Sequence, residues 1–357
     1  MSCSRINPLT ATPEEALQLS DEDKRLRFKK TRLSHPMIAD TLAEMTTLAT
    51  PGSGKNILLL TGPTGVGKST LVRVLEEREM GAHQEEMEAD PSFIPLVSIV
   101  APASGERGFS WRMFYTEMGR ALQEPLLGMK RETLRVNDPR PTTLYSARTS
   151  VSAMRLAVEG SMAQRRVRMV VIDEAVPILR QARGNDLENH MDALKTLADK
   201  GATLILVGSY DLHQLTQMSG QLARRMGVIH FRRYKSDVED ERKEFCKSVR
   251  QLQKYLAIKG LPDLGERGEL LQEACVGCVG ILKTVLTTAL ECALKNGGKW
   301  SEDCLNRALP SQDQMLTILR ETLHGERLLE TSALGTSSLK SLAEASKAVY
   351  AELKALG

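Results

Sequence analysis

Residues 62–69 read Gly62-Pro63-Thr64-Gly65-Val66-Gly67-Lys68-Ser69, with Thr70 directly behind them, and match GxxxxGK[ST] in full. The glycines let the backbone turn its N–H groups toward phosphate oxygens. Lys68 has the reach and charge for the β- and γ-phosphates, and the Ser69 hydroxyl suits Mg²⁺. The context fits the same chemistry. An apolar run, Asn56–Thr61, precedes the loop as a strand, and a helical pattern over Leu71–Arg78 follows it. Residues Gly62 to Thr70 therefore form a candidate ATP site with Mg²⁺ as its cofactor.

Working outward, Asp173 and Glu174 close a second apolar run that begins at Val167. An acid at such a strand end can hold Mg²⁺ through water, the role expected of Asp173. Glu174 would polarise an attacking water as general base. Ser209 follows a third apolar run, Thr203–Val207, and is expected to sense the γ-phosphate or orient water. Phe93–Val100 and Val228–Phe231 complete five strands. Helical patterns stand between them at 110–127, 147–164 and 186–200, the last with Leu187, Met191, Leu194 and Leu197 on one face. Alternation of this kind predicts a three-layer α/β/α domain over 51–233 around a parallel five-stranded sheet. Strand signals stop at about residue 234, so 234–328 reads as a helical lid subdomain. Residues 1–50 read as a basic N-terminal extension suited to partner docking, and 329–357 as a linker with an amphipathic tail helix at 339–356. The acidic stretch to Asp90 reads as an exposed connection, and 130–143 as a loop.

Composition narrows the function less than the motif does. The net charge of +3 is small, but its distribution is uneven. Residues 76–90 carry seven acids against Arg78 alone, whereas 104–168 carry twelve bases, eleven of them arginine, against six acids. That excess invites contact with a polyanion. No apolar run is long enough to cross a bilayer, and the start lacks a secretory pattern, so a cytoplasmic protein without membrane partners is expected. Of six cysteines only Cys275 and Cys278 lie close together, without the second pair that a zinc site needs, so buried reduced thiols are expected.

Taken together, GPTGVGKST (62–70), IPLVSIVAPASGERGFSWRMFYTEM (94–118), VVIDEA (170–175), LILVGS (204–209) and QLARRMGVIHFRRY (221–234) resemble AAA+ ATPases. Within them they resemble the TnsC/TniB transposition regulators, over about residues 56–300. The resemblance implies an ATP-dependent, sequence-nonspecific duplex-DNA-binding protein that oligomerises on target DNA and disassembles on hydrolysis. Implied partners are double-stranded DNA and further copies of the chain in a ring or filament. Others are a TnsB-like transposase, with or without a TnsA-like subunit, and a TniQ-like targeting protein, with or without a CRISPR effector complex. It also implies an arginine before the last strand that enters the neighbour's ATP site. Arg224 and Arg225 both match, with Arg225 slightly preferred. Lys283, in Gly280-Ile281-Leu282-Lys283, matches a lid residue that reaches the nucleotide. DNA contact falls on Ser104, Arg107 and Arg112, and less securely on Lys130, Arg131 and Arg135.

Two other functions share parts of this pattern. A helicase loader or DNA-translocating motor would have the same fold, although no helicase motif set is present. A P-loop kinase of small molecules would share the loop, but the Asp173–Glu174 pair, the paired arginines and the lid speak against it.

Overall fold

The computed structural model describes residues 7–50, 52–103, 105, 108–125, 127, 133–134, 142–143, 150–180, 186–218 and 220–332. Five strands form the central sheet: β1 (Ile57–Thr61), β2 (Leu96–Val100), β3 (Met169–Asp173), β4 (Thr203–Gly208) and β5 (Met226–His230). All pairings are parallel and the order is β2-β3-β4-β1-β5. Alternate residues of each strand enter different cores, because successive side chains point to opposite faces. Leu58, Leu60, Val171, Ile205, Val207 and Ile229 join one core, with Leu71, Val72 and Leu75 of the helix Lys68–Ala82. Ile57, Leu59, Val170, Ile172, Leu204 and Leu206 join the other. There they meet the helices Trp111–Ala121, Val151–Gln164 and Asp186–Ala198. Both faces are covered, which explains why the strands read as nearly unbroken apolar runs.

Helices alone follow the sheet: Glu239–Gln253, Gly268–Ala274, Val279–Lys295 and Glu302–Ala308. The expected boundary at residue 328 falls inside the helix Gln312–Ser332, which continues through it. This helix returns to the α/β domain. Glu326, which is buried, accepts two hydrogen bonds from the partly buried Arg233 guanidinium, at 2.9 and 3.2 Å. The expected tail helix at 339–356 lies outside the described residues.

The N-terminal region departs from the expected appended arm. Asp21–Lys30 and Pro36–Leu48 are helices, and Phe28, Met37, Ile38, Leu42 and Met45 are buried in the same core as β1. Its arginines are employed internally. Arg25 pairs with Glu291 at 2.8 Å, Arg32 with Glu77, and Arg27 donates to the Pro8 carbonyl at 2.8 Å.

The acidic stretch is largely exposed, as expected, and Gln84–Ala89 within it is helical. Its charge is answered within the chain. Arg166 pairs with Asp90 at 2.8 Å and Arg168 with Glu86 at 3.3 Å. Farther along, Arg155 pairs with Glu159 and Arg120 with Glu117. Part of the arginine excess is thus structural. Within 130–143 an antiparallel pair, Thr133–Leu134 with Thr142–Thr143, stands where a plain loop was expected.

Candidate nucleotide site

The strands end together at one edge of the sheet, where parallel α/β folds bind ligands. The loop after β1 turns there into the helix Lys68–Ala82. Gly67 takes φ 115°, a conformation that disfavours any side chain, and caps the helix. Among the described residues, the N–H groups of Gly67, Lys68 and Ser69 meet no backbone acceptor, as expected for a first turn open to an anion. Lys68 Nζ bridges the carbonyls of Gly62 and Pro63, both at 2.9 Å. Burial pushes the Lys68 ammonium below its ordinary value, against the opposing pull of Glu174, Cys278 and Asp173.

The lid rests directly on the loop. Ile281 N–H donates to the Gly65 carbonyl at 3.1 Å, and a Cβ at Gly280 would come within 2.4 Å of that same oxygen. Behind the loop, the His35 ring stacks on Phe231 at 6.3 Å, and Tyr234 Oη lies 3.0 Å from His35 Nδ1. Phe231 in turn adjoins Gly62 and Gly67, so His35 backs the phosphate loop through Phe231.

A cavity of about 750 Å³ opens at this edge. Of the loop, Gly62, Pro63, Thr64, Gly65, Gly67, Lys68, Ser69 and Thr70 line it, while Val66 is buried beneath. Glu174 and Ser209 reach the same cavity from the ends of β3 and β4. Because β4 lies between β3 and β1, Ser209 stands between the acidic strand end and the loop. Glu174 is exposed with φ 51°, and its N–H donates to Asp173 Oδ1 at 2.8 Å. Glu174 lines the cavity, whereas Asp173 is not part of its wall. The oxygen donors of Ser69 and Asp173 suit a hard cation such as Mg²⁺.

Lys283 does not join this set. Its ammonium donates to the carbonyls of Lys29 (3.2 Å) and Thr31 (2.6 Å), so it ties the lid to the N-terminal helices and is absent from the cavity wall. Arg224 and Arg225 lie at the opposite edge, before β5. Arg225 pairs with Asp199 at 2.7 Å. The Arg224 guanidinium is exposed and without a partner among the described residues. Of the DNA candidates, Arg112 is exposed, with Nη1 3.8 Å from Met154 Sδ. Ser104, Arg107, Lys130, Arg131 and Arg135 lie outside the described residues.

Arg180, Thr322 and His324 are among the contributors to the cavity wall that sequence reading missed. Arg180 lines it and pairs with Asp211 at 2.5 Å. Its signal was its place one short helix beyond Glu174. Thr322 and His324 reach the wall from the helix Gln312–Ser332, whose approach no local pattern announces.

Residues 50–216 match the family model of an AAA domain. No curated protein matches the sequence. Among solved structures, Cdc6p from Pyrobaculum aerophilum is similar at 14% identity, over 79% of this chain and 69% of that one, with a TM-score of 0.51. The Aeropyrum pernix ORC1 protein, solved in complex with DNA, is similar at 16% identity, over 80% and 67%, also with a TM-score of 0.51. At these identities the likeness is one of fold. Among the described residues no single helix is long and apolar enough to cross a membrane.

Proposed function

We propose, from the premise that this chain has the AAA+ P-loop fold with an AAA domain at residues 50–216, that it is an ATPase whose site is completed by a second copy. We further propose that it assembles on duplex DNA as a transposition regulator of the TnsC/TniB kind. The observation that carries the shared site is the place of Arg224. The five residues of β1 span about 16 Å, so a guanidinium at the far edge of the sheet cannot reach the chain's own phosphate loop.

The loop N–H groups and Lys68 would hold the phosphates. The Ser69 hydroxyl and, through water, the Asp173 carboxylate would hold Mg²⁺, which supplies charge neutralisation at the phosphates when bound. Glu174 takes the proton of the attacking water, and the Ser209 hydroxyl orients that water. Arg224 of the adjoining copy stabilises charge on the transferring phosphoryl group, which couples hydrolysis to assembly. Charge in the arginine-rich 104–168 segment supports DNA contact through phosphates, without base preference and weakened by salt. The transposase and the TniQ-like partner rest on the sequence resemblance. A helicase loader or translocating motor is the second reading, supported by the likeness to ORC1, which was solved with DNA.

Electron microscopy with duplex DNA and a nonhydrolysable ATP analogue tests the proposal. Rings or filaments are expected only with both ligands, and Lys68→Ala is expected to abolish them. Glu174→Gln is expected to give DNA complexes that outlive wild-type ones in ATP. A chain that stays monomeric with both ligands, or that phosphorylates a small acceptor, would overturn it. Directional movement along DNA would favour the motor.

A further inference from the structure

The lid contains a pair of cysteines that sequence spacing does not reveal. Cys275 and Cys278, close in sequence, are both fully buried, and burial pushes each thiol up to about 12. Cys292 and Cys304 are farther apart in the chain but adjoin in space. Cys292 is half-buried near the end of the helix Val279–Lys295, and Cys304 is buried on Glu302–Ala308. The turn Asn296–Gly298 folds the chain back between them, with Gly297 N–H on the Leu294 carbonyl (3.1 Å) and Gly298 N–H on that of Ala293 (2.9 Å).

The surroundings of the two sulfurs are polar and specific. The Asn296 side-chain amide spans both, 3.9 Å from Cys292 Sγ and 3.4 Å from Cys304 Sγ. The Ser301 hydroxyl lies 3.2 Å from Cys304 Sγ. Two donors thus converge on Cys304 Sγ. A neutral thiol is a weak acceptor, whereas a thiolate is a strong one, so this arrangement favours the ionised form. Burial works to raise the Cys304 thiol, yet hydrogen bonds from Cys292, Ser301 and Asn296 hold it below its ordinary value. The bond that Cys292 donates raises Cys292 in turn.

We propose that Cys292 and Cys304 form a reversible oxidation site at which a hydroperoxide closes a disulfide between the two lid helices. Cys292, the more accessible sulfur, attacks a peroxide oxygen while its proton passes to Cys304. The O–O bond breaks, leaving a sulfenic acid on Cys292 and an alkoxide or hydroxide that takes a proton from water. The Cys304 sulfur then attacks the Cys292 sulfur. The S–S bond forms, the S–O bond breaks, and hydroxide leaves with the Cys304 proton as water. With Cys304 starting as the thiolate, a thiol, a thiolate and one hydroperoxide thus yield a disulfide, an alcohol (water, when the oxidant is hydrogen peroxide) and hydroxide. A dithiol reductant reverses the change by thiol–disulfide exchange. The helix carrying Cys292 starts on the phosphate loop at Ile281, so the disulfide fixes the far end of an element that touches the nucleotide site.

The test is hydrogen peroxide treatment of the full-length protein, followed by blocking of free thiols and non-reducing peptide mapping. The expected product is a Cys292–Cys304 crosslink that dithiothreitol removes. It should form at least about tenfold faster than any Cys275–Cys278 crosslink, because those thiols are buried and un-ionised. Cys292→Ser and, separately, Cys304→Ala should each abolish it, and circular dichroism of both variants checks that the fold persists. Oxidation that stops at Cys246, or that carries Cys292 to sulfinic acid without a crosslink, overturns the proposal. So does a crosslink that survives either substitution.

Discussion

The two edges of the central sheet are built in opposite ways. At the edge where β1 ends, side chains turn inward: Lys68 lies on two loop carbonyls, the lid presses on Gly65, and Glu174 and Ser209 face one cavity. At the edge where β1 begins, the main chain is pinned and the side chains lie at the surface, Arg225 paired with Asp199. Lys55 Nζ donates to the Arg224 carbonyl at 2.8 Å and Asn56 N–H to that of Arg225 at 3.1 Å, while both guanidinium groups are exposed. The first edge is organised around a ligand. The second presents charge outward, which is the arrangement that the proposed sharing of a site between copies requires.

Arg224→Ala should break the comparison most sharply. A drop of about 10³-fold in kcat is expected, with ATP affinity in the monomer unchanged, if the guanidinium acts in the neighbour's site as proposed. Steady-state hydrolysis with DNA, together with a nucleotide-binding titration, reads both. Next comes pH, which separates the two edges by burial. His35, behind the phosphate loop, is pushed by burial from its ordinary 6.5 down to about 4. Its neutral form belongs to the fold, so this contribution is whole above about pH 6.5 and is lost as pH falls toward 4. The loss amounts to about 3 kcal/mol at most. Melting curves from pH 7 to 4 should fall more steeply for wild type than for His35→Asn. An equal slope would remove His35 from the account. Arg225→Ala should have the smallest effect. Its pair with Asp199 is about half exposed, so the stability change should stay below about 1 kcal/mol and hydrolysis should change less than about threefold. If Arg225→Ala instead caused the large kinetic loss, the two arginines would exchange roles.

The phosphate-loop edge was legible in the sequence because its chemistry is local. A left-handed glycine at 67, a lysine and a hydroxyl must follow a strand in fixed order, and acids at a strand end are visible as Asp173–Glu174. The strands were legible because both sheet faces are covered. What stayed hidden depends on contacts between distant parts of the chain. Asp21–Lys30 shows a basic cluster and almost no apolar stripe, yet Phe28 alone anchors it in the core and Arg27 lies over the Tyr255 ring. Lys283 occupies the expected place on the lid helix, but the carbonyls of Lys29 and Thr31 claim its ammonium. Arg224 and Arg225 are alike in sequence, and only Asp199, brought in by another helix, distinguishes them.

The central claim, that each ATP site draws on two copies, is tested most directly by mixing two inactive variants. Glu174→Gln lacks the base but keeps Arg224, and Arg224→Ala keeps the base but lacks the arginine. In mixed assemblies on duplex DNA, an Arg224→Ala copy beside a Glu174→Gln copy regains an intact site. An equal mixture should therefore recover roughly a quarter of the wild-type ATPase rate. A mixture as inactive as its separate components would contradict the account.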